Sequence, residues 1–147
     1  RSKIERGIIR ACYKRPVSAE AIQKTVERIE IKIFNLEANQ EISKERIYAA
    51  ALLHDIGRHI QYENGTPHQI AGLPIAEQIL TDCGFYPEEM KEILYAIENH
   101  RNKEMLKRDD LAGILYRADK MSRCCFGCRA EKECNWSTEK KNMEIQY

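Results

Sequence analysis

The chain lacks the features that would place it in a membrane or on a polyanion. Its 147 residues contain no apolar run near the roughly 18 residues that a membrane-spanning helix needs. The formal net charge is only +1, so no overall field favours duplex nucleic acid or an anionic membrane surface. The first residues are charged and lead into no long apolar segment, so we expect no secretory signal and a cytoplasmic protein.

Strand-like alternation is almost absent, and we find no internal repeats or low-complexity tracts. Apolar residues recur at helical spacing, which predicts an all-α bundle of about six helices. The length fits a single domain, 1–147, with a core at about 18–123 and a cysteine-rich tail at 124–147. Helices are predicted at 3–13, 19–39 and 44–55, then from Pro67 toward Gly84, from Pro87, and from Asp109 or Asp110.

Boundary signals refine this helical pattern. Ser43 and Thr66 are predicted to be N-caps, because a side-chain oxygen at that position accepts a bond from the first turn. Pro74 should kink the fourth helix or divide it, since proline cannot donate to the helical ladder. The polar segment 58–65 is predicted to be a loop.

One stretch combines an apolar helical run with two polar side chains. Residues 49–53 are alanine and leucine, and His54 and Asp55 follow directly. Ile47, Ala51 and His54 are spaced i, i+4, i+7, so the imidazole continues the apolar stripe. A buried imidazole and carboxylate are costly without a partner. A bound cation would satisfy both, because both groups are metal ligands.

Later helices carry similar side chains on or beside their apolar stripes. Helix bundles build metal sites from such residues on facing helices. Nitrogen and carboxylate oxygen without thiolate predict a divalent transition metal, namely iron, manganese, zinc, cobalt or nickel, as one or two ions. The predicted metal ligands are His54, Asp55, His68, His100 and Asp119.

The segment LLHDIG at 52–57, with YRADK at 116–120, resembles the HD-domain superfamily of metal-dependent phosphohydrolases over about residues 18–123. His68 and His100 match two further histidines found in dinuclear members that act on nucleotides. The resemblance implies hydrolysis of a small phosphorylated substrate, such as a nucleotide, by a metal-activated water. It makes Asp55 and Asp119 catalytic candidates as well as ligands, either of them able to accept the proton of that water.

Arg58 follows the His-Asp pair where many members of that superfamily carry lysine. In the functional interpretation it is a catalytic residue that contacts a substrate phosphate through its guanidinium fork. In the alternative it is a solvated loop charge.

The chain departs from the family pattern at Thr25, which occupies the position of the first histidine ligand in the segment TVERI. A neutral hydroxyl binds these metals weakly. Glu27, Glu30 or water can complete the shell instead. A single metal can lie in a shifted position on His68 and His100, or the site has lost catalysis and kept binding.

Cysteines are concentrated in the tail, at Cys124, Cys125, Cys128 and Cys134. Their spacing is compatible with zinc or an iron–sulfur cluster, with a regulatory disulfide, or with idle thiols.

Three functions therefore stay open: a phosphohydrolase, a non-catalytic nucleotide- or metal-binding regulatory module, and a sensor that works through its thiols. The expected partner is a small phosphorylated molecule or nucleotide, and an oligomer is left open.

Overall fold

The computed structural model describes residues 42–123 and 125–144. Within these ranges the backbone forms helices and no strand, so the predicted all-α class is confirmed. The helices are α1 (Lys44–Leu53), α2 (Arg58–Asn64), α3 (His68–Ala71), α4 (Leu73–Asp82), α5 (Pro87–Asn99) and α6 (Leu111–Met121), with 3₁₀ segments at Lys103–Lys107 and Cys125–Gly127. The helices predicted at 3–13 and 19–39 lie outside the described residues, and the single-domain organisation stays a prediction.

Helix α5 is central to the described bundle, because it packs against α1, α4 and α6. The largest fully buried apolar side chains come from these four helices: Ile47, Leu53, Leu80, Ile93, Ile97, Leu111 and Leu115. Burying a side chain of this size contributes about 1.5–3 kcal/mol. The small, fully buried residues Ala49, Ala50 and Ala51 let neighbouring segments approach α1 closely. None of the described helices is long and apolar enough to cross a membrane.

Local signals at several helix ends are confirmed. Asp110 caps α6, since its side chain accepts a hydrogen bond from the Gly113 backbone N–H at 3.1 Å. Helix α5 begins at Pro87 as predicted. Gly84 follows the end of α4 with φ +82°, a left-handed conformation that glycine adopts at little cost. Pro74 lies in the first turn of α4, and the predicted fourth helix is divided there into α3 and α4.

Other boundaries were wrong. The predicted loop at 58–65 is largely helix α2. This helix buries none of its residues, so it needs no apolar stripe, and the sequence pattern did not reveal it. Helix α1 ends at Leu53 rather than at residue 55. Ser43 occupies the N-cap position but its side chain makes no capping bond, and α3 is preceded by Pro67 rather than capped by Thr66.

Candidate metal centre

Three histidines reach one buried region from three different helix ends. His54 directly follows the last residue of α1, and His100 directly follows the last residue of α5. His68 is the first residue of α3. Each is at most 3% exposed. The apolar-stripe prediction for these residues is therefore confirmed as regards burial.

Asp55 lies between the three imidazoles. Its Oδ1 is 3.2 Å from His68 Nε2 and 3.7 Å from His100 Nε2. Its Oδ2 is 3.4 Å from His54 Nε2. Asp119, on α6, extends the cluster, with its Oδ1 3.6 Å from His54 Nε2. The structure thus brings together all five residues that the sequence predicted as metal ligands.

The most compact group within this cluster is Asp55, His68 and His100. Their potential ligand atoms all lie within 4.8 Å of one another, and no other such group occurs in the described part of the chain. His54 and Asp119 adjoin this group on the other side of Asp55. The Asp55 carboxylate therefore separates two neighbouring sets of donors.

The hydrogen bonds of the ring Nδ1 atoms determine which nitrogen is available at the centre. His54 Nδ1 lies 2.7 Å from the Ala51 carbonyl oxygen, and His100 Nδ1 lies 2.6 Å from the Ile97 carbonyl oxygen. A carbonyl oxygen only accepts, so each Nδ1 must carry the proton. In the neutral ring Nε2 then presents a lone pair toward the cluster. Histidine ligands of metals are commonly oriented in this way.

When the rings are neutral and carry their proton on Nδ1, their Nε2 electron pairs face one another, which is unfavourable unless a cation lies between them. The His68 and His100 Nε2 atoms are 3.1 Å apart. Burial, and the neighbouring His54 ring, lower the pKa of His100 to about 3, so that ring is neutral at physiological pH. Asp55 Oδ1 is buried and has no hydrogen-bond partner among the described residues. A divalent cation would accept electron pairs from both Nε2 atoms and from Asp55 Oδ1. The residues present therefore fit a metal.

The ligand set also bears on the kind of metal. Imidazole nitrogen and carboxylate oxygen suit iron, manganese, zinc, cobalt and nickel, and the cluster contains no thiolate. Burial favours the neutral form of Asp55, but the adjacent His54 and His68 rings and Arg58 outweigh burial and hold its pKa well below the usual range. Asp55 is therefore an anion at any physiological pH, as a metal ligand must be.

Two cations flank the cluster, each bound to one of its carboxylates. Arg58 Nε donates to Asp55 Oδ2 at 2.9 Å, and its side chain is 47% exposed. Lys120 Nζ donates to Asp119 Oδ2 at 2.9 Å and to the His100 carbonyl oxygen at 3.3 Å. The sequence places Lys120 directly after Asp119, but nothing in the sequence shows that its side chain also reaches α5.

The approach of α3 to the His-Asp turn depends on Gly57. A Cβ placed there would lie 2.3 Å from the His68 carbonyl oxygen and 2.4 Å from the Gly72 backbone nitrogen. The φ of Gly57 is −83°, which any residue can adopt, so its backbone conformation does not require glycine. Its role is to let two backbone segments touch, which brings His68 next to Asp55.

Two further sequence features lie away from this centre or outside the described residues. Cys125, Cys128 and Cys134 are free thiols. Within residues 125–144 they do not lie close enough together to hold a metal ion as a group of three ligands. Thr25 and Cys124 lie outside the described residues, so the question of the first family ligand is not addressed by the structure.

Comparison with known proteins is consistent with this geometry. A family model for the HD domain matches residues 19–124. An uncharacterized protein of Clostridium beijerinckii is 46% identical over 116 residues, which are 79% of this chain and 72% of the relative.

Proteins named transcriptional repressor NrdR are similar as well. That of Agathobacter rectalis is 53% identical over 47 residues, which are 32% of this chain and 30% of the repressor. That of Exiguobacterium sibiricum is 30% identical over 106 residues, which are 71% of this chain and 58% of the repressor. The chain thus spans less than two thirds of either repressor. No solved structure is significantly similar to it. Because the family match covers most of the chain, the chain belongs to the HD-domain family, a superfamily of metal-dependent phosphohydrolases.

Proposed function

We propose that this protein hydrolyses a small phosphorylated molecule in a metal-dependent reaction, with nucleotides as the substrate class to test first. The proposal rests on the convergence of His68 and His100 Nε2 on Asp55 Oδ1, a buried oxygen without a hydrogen-bond partner among the described residues. A divalent cation held there would supply Lewis-acid activation of water and would neutralise phosphoryl charge.

The five clustered side chains divide into two donor sets under this proposal. Asp55 Oδ1, His68 and His100 hold one ion. Asp55 Oδ2, His54 and Asp119 Oδ1 would hold a second ion. Asp55 would then supply one carboxylate oxygen to each donor set.

Proton transfer falls to Asp119 rather than to Asp55. The pKa of Asp55 is held well below the usual range by His54, His68 and Arg58 against the opposing effect of burial. A base of such low pKa accepts a proton poorly. Asp119 forms ion pairs with His54 and Lys120.

Arg58 and Lys120 are proposed to bind the substrate phosphate. Each is anchored to a carboxylate of the cluster and each is partly exposed, so a phosphate beside the metal would meet a positive charge on either side. Guanidinium and ammonium groups in such positions stabilise charge that develops on a transferring phosphoryl group.

The experiment is phosphate release by the full chain from a panel of nucleotides and sugar phosphates, with and without Mn²⁺ or Co²⁺. We expect metal-dependent release that is lost in Asp55→Asn. Arg58→Met and Lys120→Met should raise KM or lower kcat about 10-fold or more, as loss of a charged contact to phosphate does. Lys91→Met, an exposed change on α5, is the control and should leave the rate unchanged. Metal binding without any phosphate release would contradict the proposal.

A second candidate function is a non-catalytic module that binds a nucleotide or a regulatory metal. The similarity to proteins named as transcriptional repressors favours it, as does threonine at position 25. This candidate predicts that a nucleotide or metal raises the melting temperature while no phosphate is released from any substrate. A cytoplasmic location stays a prediction, as does the set of candidate metals, iron, manganese, zinc, cobalt or nickel.

A further inference from the structure

Two of the three clustered imidazoles are oriented by their own helices. His54 and His100 each follow the last residue of a helix, where the final carbonyl groups have no amide partner within the helix. The ring Nδ1–H of each binds the carbonyl oxygen three residues earlier, Ala51 for one and Ile97 for the other. No side-chain substitution elsewhere can remove these acceptors.

His68 cannot be oriented in this way, because it stands at the opposite end of a helix. It is the first residue of α3, so no residue of its own helix precedes it to offer a carbonyl. Its acceptor is instead a side chain from α2: Gln61 Oε1 lies 2.6 Å from His68 Nδ1. The same oxygen accepts the His68 backbone N–H at 3.1 Å.

The bond from the His68 backbone N–H shows which atom of the Gln61 amide faces the His68 ring. A backbone N–H can only donate, so the Gln61 atom that faces His68 is the amide oxygen. An amide oxygen can only accept, so His68 Nδ1 must carry the ring proton. When the ring carries one proton, His68 Nε2 is then the unprotonated nitrogen, and it is the atom 3.2 Å from Asp55 Oδ1.

We infer that Gln61 is the positioning residue of His68, which selects the ring tautomer that can bind a metal through Nε2. The inference rests on the metal site of the proposed function, although the tautomer itself can be measured without metal. Loss of the acceptor would let the proton move to Nε2, where it would block coordination. Partners that orient a ligand in this way are typically worth about 10–100-fold in metal affinity.

The test compares Gln61→Leu, which has no acceptor, with Gln61→Glu, which keeps an oxygen at the same reach. Gln78→Leu is the matched control, since Gln78 is exposed on α4 and, among the described residues, its side chain bonds Asp82 rather than the cluster. Long-range proton–nitrogen NMR on the full, metal-free chain at about pH 8.5, where an ordinary histidine is neutral, reports the His68 tautomer. A spectroscopic Co²⁺ titration reports metal affinity.

We expect the Nδ1–H tautomer of His68 in the wild type, in Gln61→Glu and in Gln78→Leu, and its loss in Gln61→Leu. Co²⁺ affinity should fall about 10–100-fold only in Gln61→Leu. If that variant does not fold, Gln61→Asn, whose side chain is one methylene too short, provides the same comparison. An unchanged tautomer and unchanged affinity would overturn the inference.

The same data distinguish this inference from the proposed function. A wild-type protein that binds no Co²⁺ but shows a tautomer dependent on Gln61 would refute the metal site and retain the positioning role. A protein that binds Co²⁺ equally well in all variants would refute the positioning role alone.

Discussion

Replacing Gly57 with alanine tests whether close backbone contact brings the His-Asp turn and α3 together. The added Cβ would lie 2.3 Å from the His68 carbonyl oxygen, 2.4 Å from the Gly72 nitrogen and 2.9 Å from the Gly72 Cα. Ordinary contacts of this kind need more than 3 Å, and backbone atoms cannot rotate away as a flexible side chain can. One of the two segments must therefore move by about 1 Å.

The expected loss of folding free energy is the cost of overpacking, reduced by a small gain from the lower entropy of the unfolded chain. Inserting a methyl group into a packed interior typically costs about 1–3 kcal/mol, and contact with backbone places this site at the upper end. Alanine lowers the entropy of the unfolded chain, which returns about 0.4–1 kcal/mol. We expect a net loss of about 2 kcal/mol, or a decrease in Tm of about 4–8 °C for a chain of this size. Since His68 lies on the displaced segment, metal affinity should fall as well.

A graded series of glycine substitutions provides the controls. At Gly72 an added Cβ would meet its nearest atoms at 3.1 Å, so alanine there should cost less than at Gly57. At Gly127 it would meet nothing within 4 Å, so alanine should be neutral or slightly stabilising. Urea denaturation of the three alanine variants measures the order of their stabilities. A Gly57→Ala protein as stable as Gly127→Ala, with unchanged metal affinity, would refute the reasoning.

Three further results are expected. Asp110→Ala should lower the free energy of unfolding by about 1 kcal/mol, because the Gly113 N–H loses its acceptor, whereas Asp110→Asn should cost much less; equal losses in urea would contradict the capping role. Leu115→Ala should cost about 2–5 kcal/mol because Leu115 is fully buried, while the half-exposed Leu106→Ala should change stability by under about 0.5 kcal/mol; similar losses would argue against the described core. Adding Co²⁺ at about 100 times its Kd should stabilise the protein by about 2.7 kcal/mol, measured as a rise in Tm that a chelator reverses; an unchanged Tm would count against a native-state site.

The sequence predicted which histidines are buried in the cluster, because the spacing of apolar residues along a helix is a local property. His54 continues the stripe of Ile47 and Ala51, and all three are buried as predicted. His68 and His100 were found by the same criterion. The distance of 3.1 Å between His68 Nε2 and His100 Nε2 was not predictable, because it depends on how α3 and α5 pack together. Spacing along one helix carries no information about that packing.

The missed features are polar contacts between elements. Helix α2 was predicted to be a loop because it buries no residue, and with it the role of Gln61 was missed. Lys120 was recognised beside Asp119, but its bond to the His100 carbonyl joins residues twenty positions apart. For Arg58 the sequence allowed two interpretations, a contact with substrate phosphate or a solvated loop charge. Its bond to Asp55 shows a third arrangement, in which it is held at the edge of the cluster.

The most direct test is the metal content of the full chain, measured by elemental analysis after exposure to Co²⁺ or Mn²⁺ and removal of unbound metal. The wild type should retain at least one ion per chain, and His100→Ala should retain far less. His59→Ala is the matched histidine control, because His59 is exposed and, within the part of the chain that the structure describes, its ring bonds the Ile56 carbonyl oxygen. This variant should retain as much metal as the wild type. A wild type that holds no metal, or a His100→Ala protein that holds as much as the wild type, would contradict a metal site at Asp55, His68 and His100.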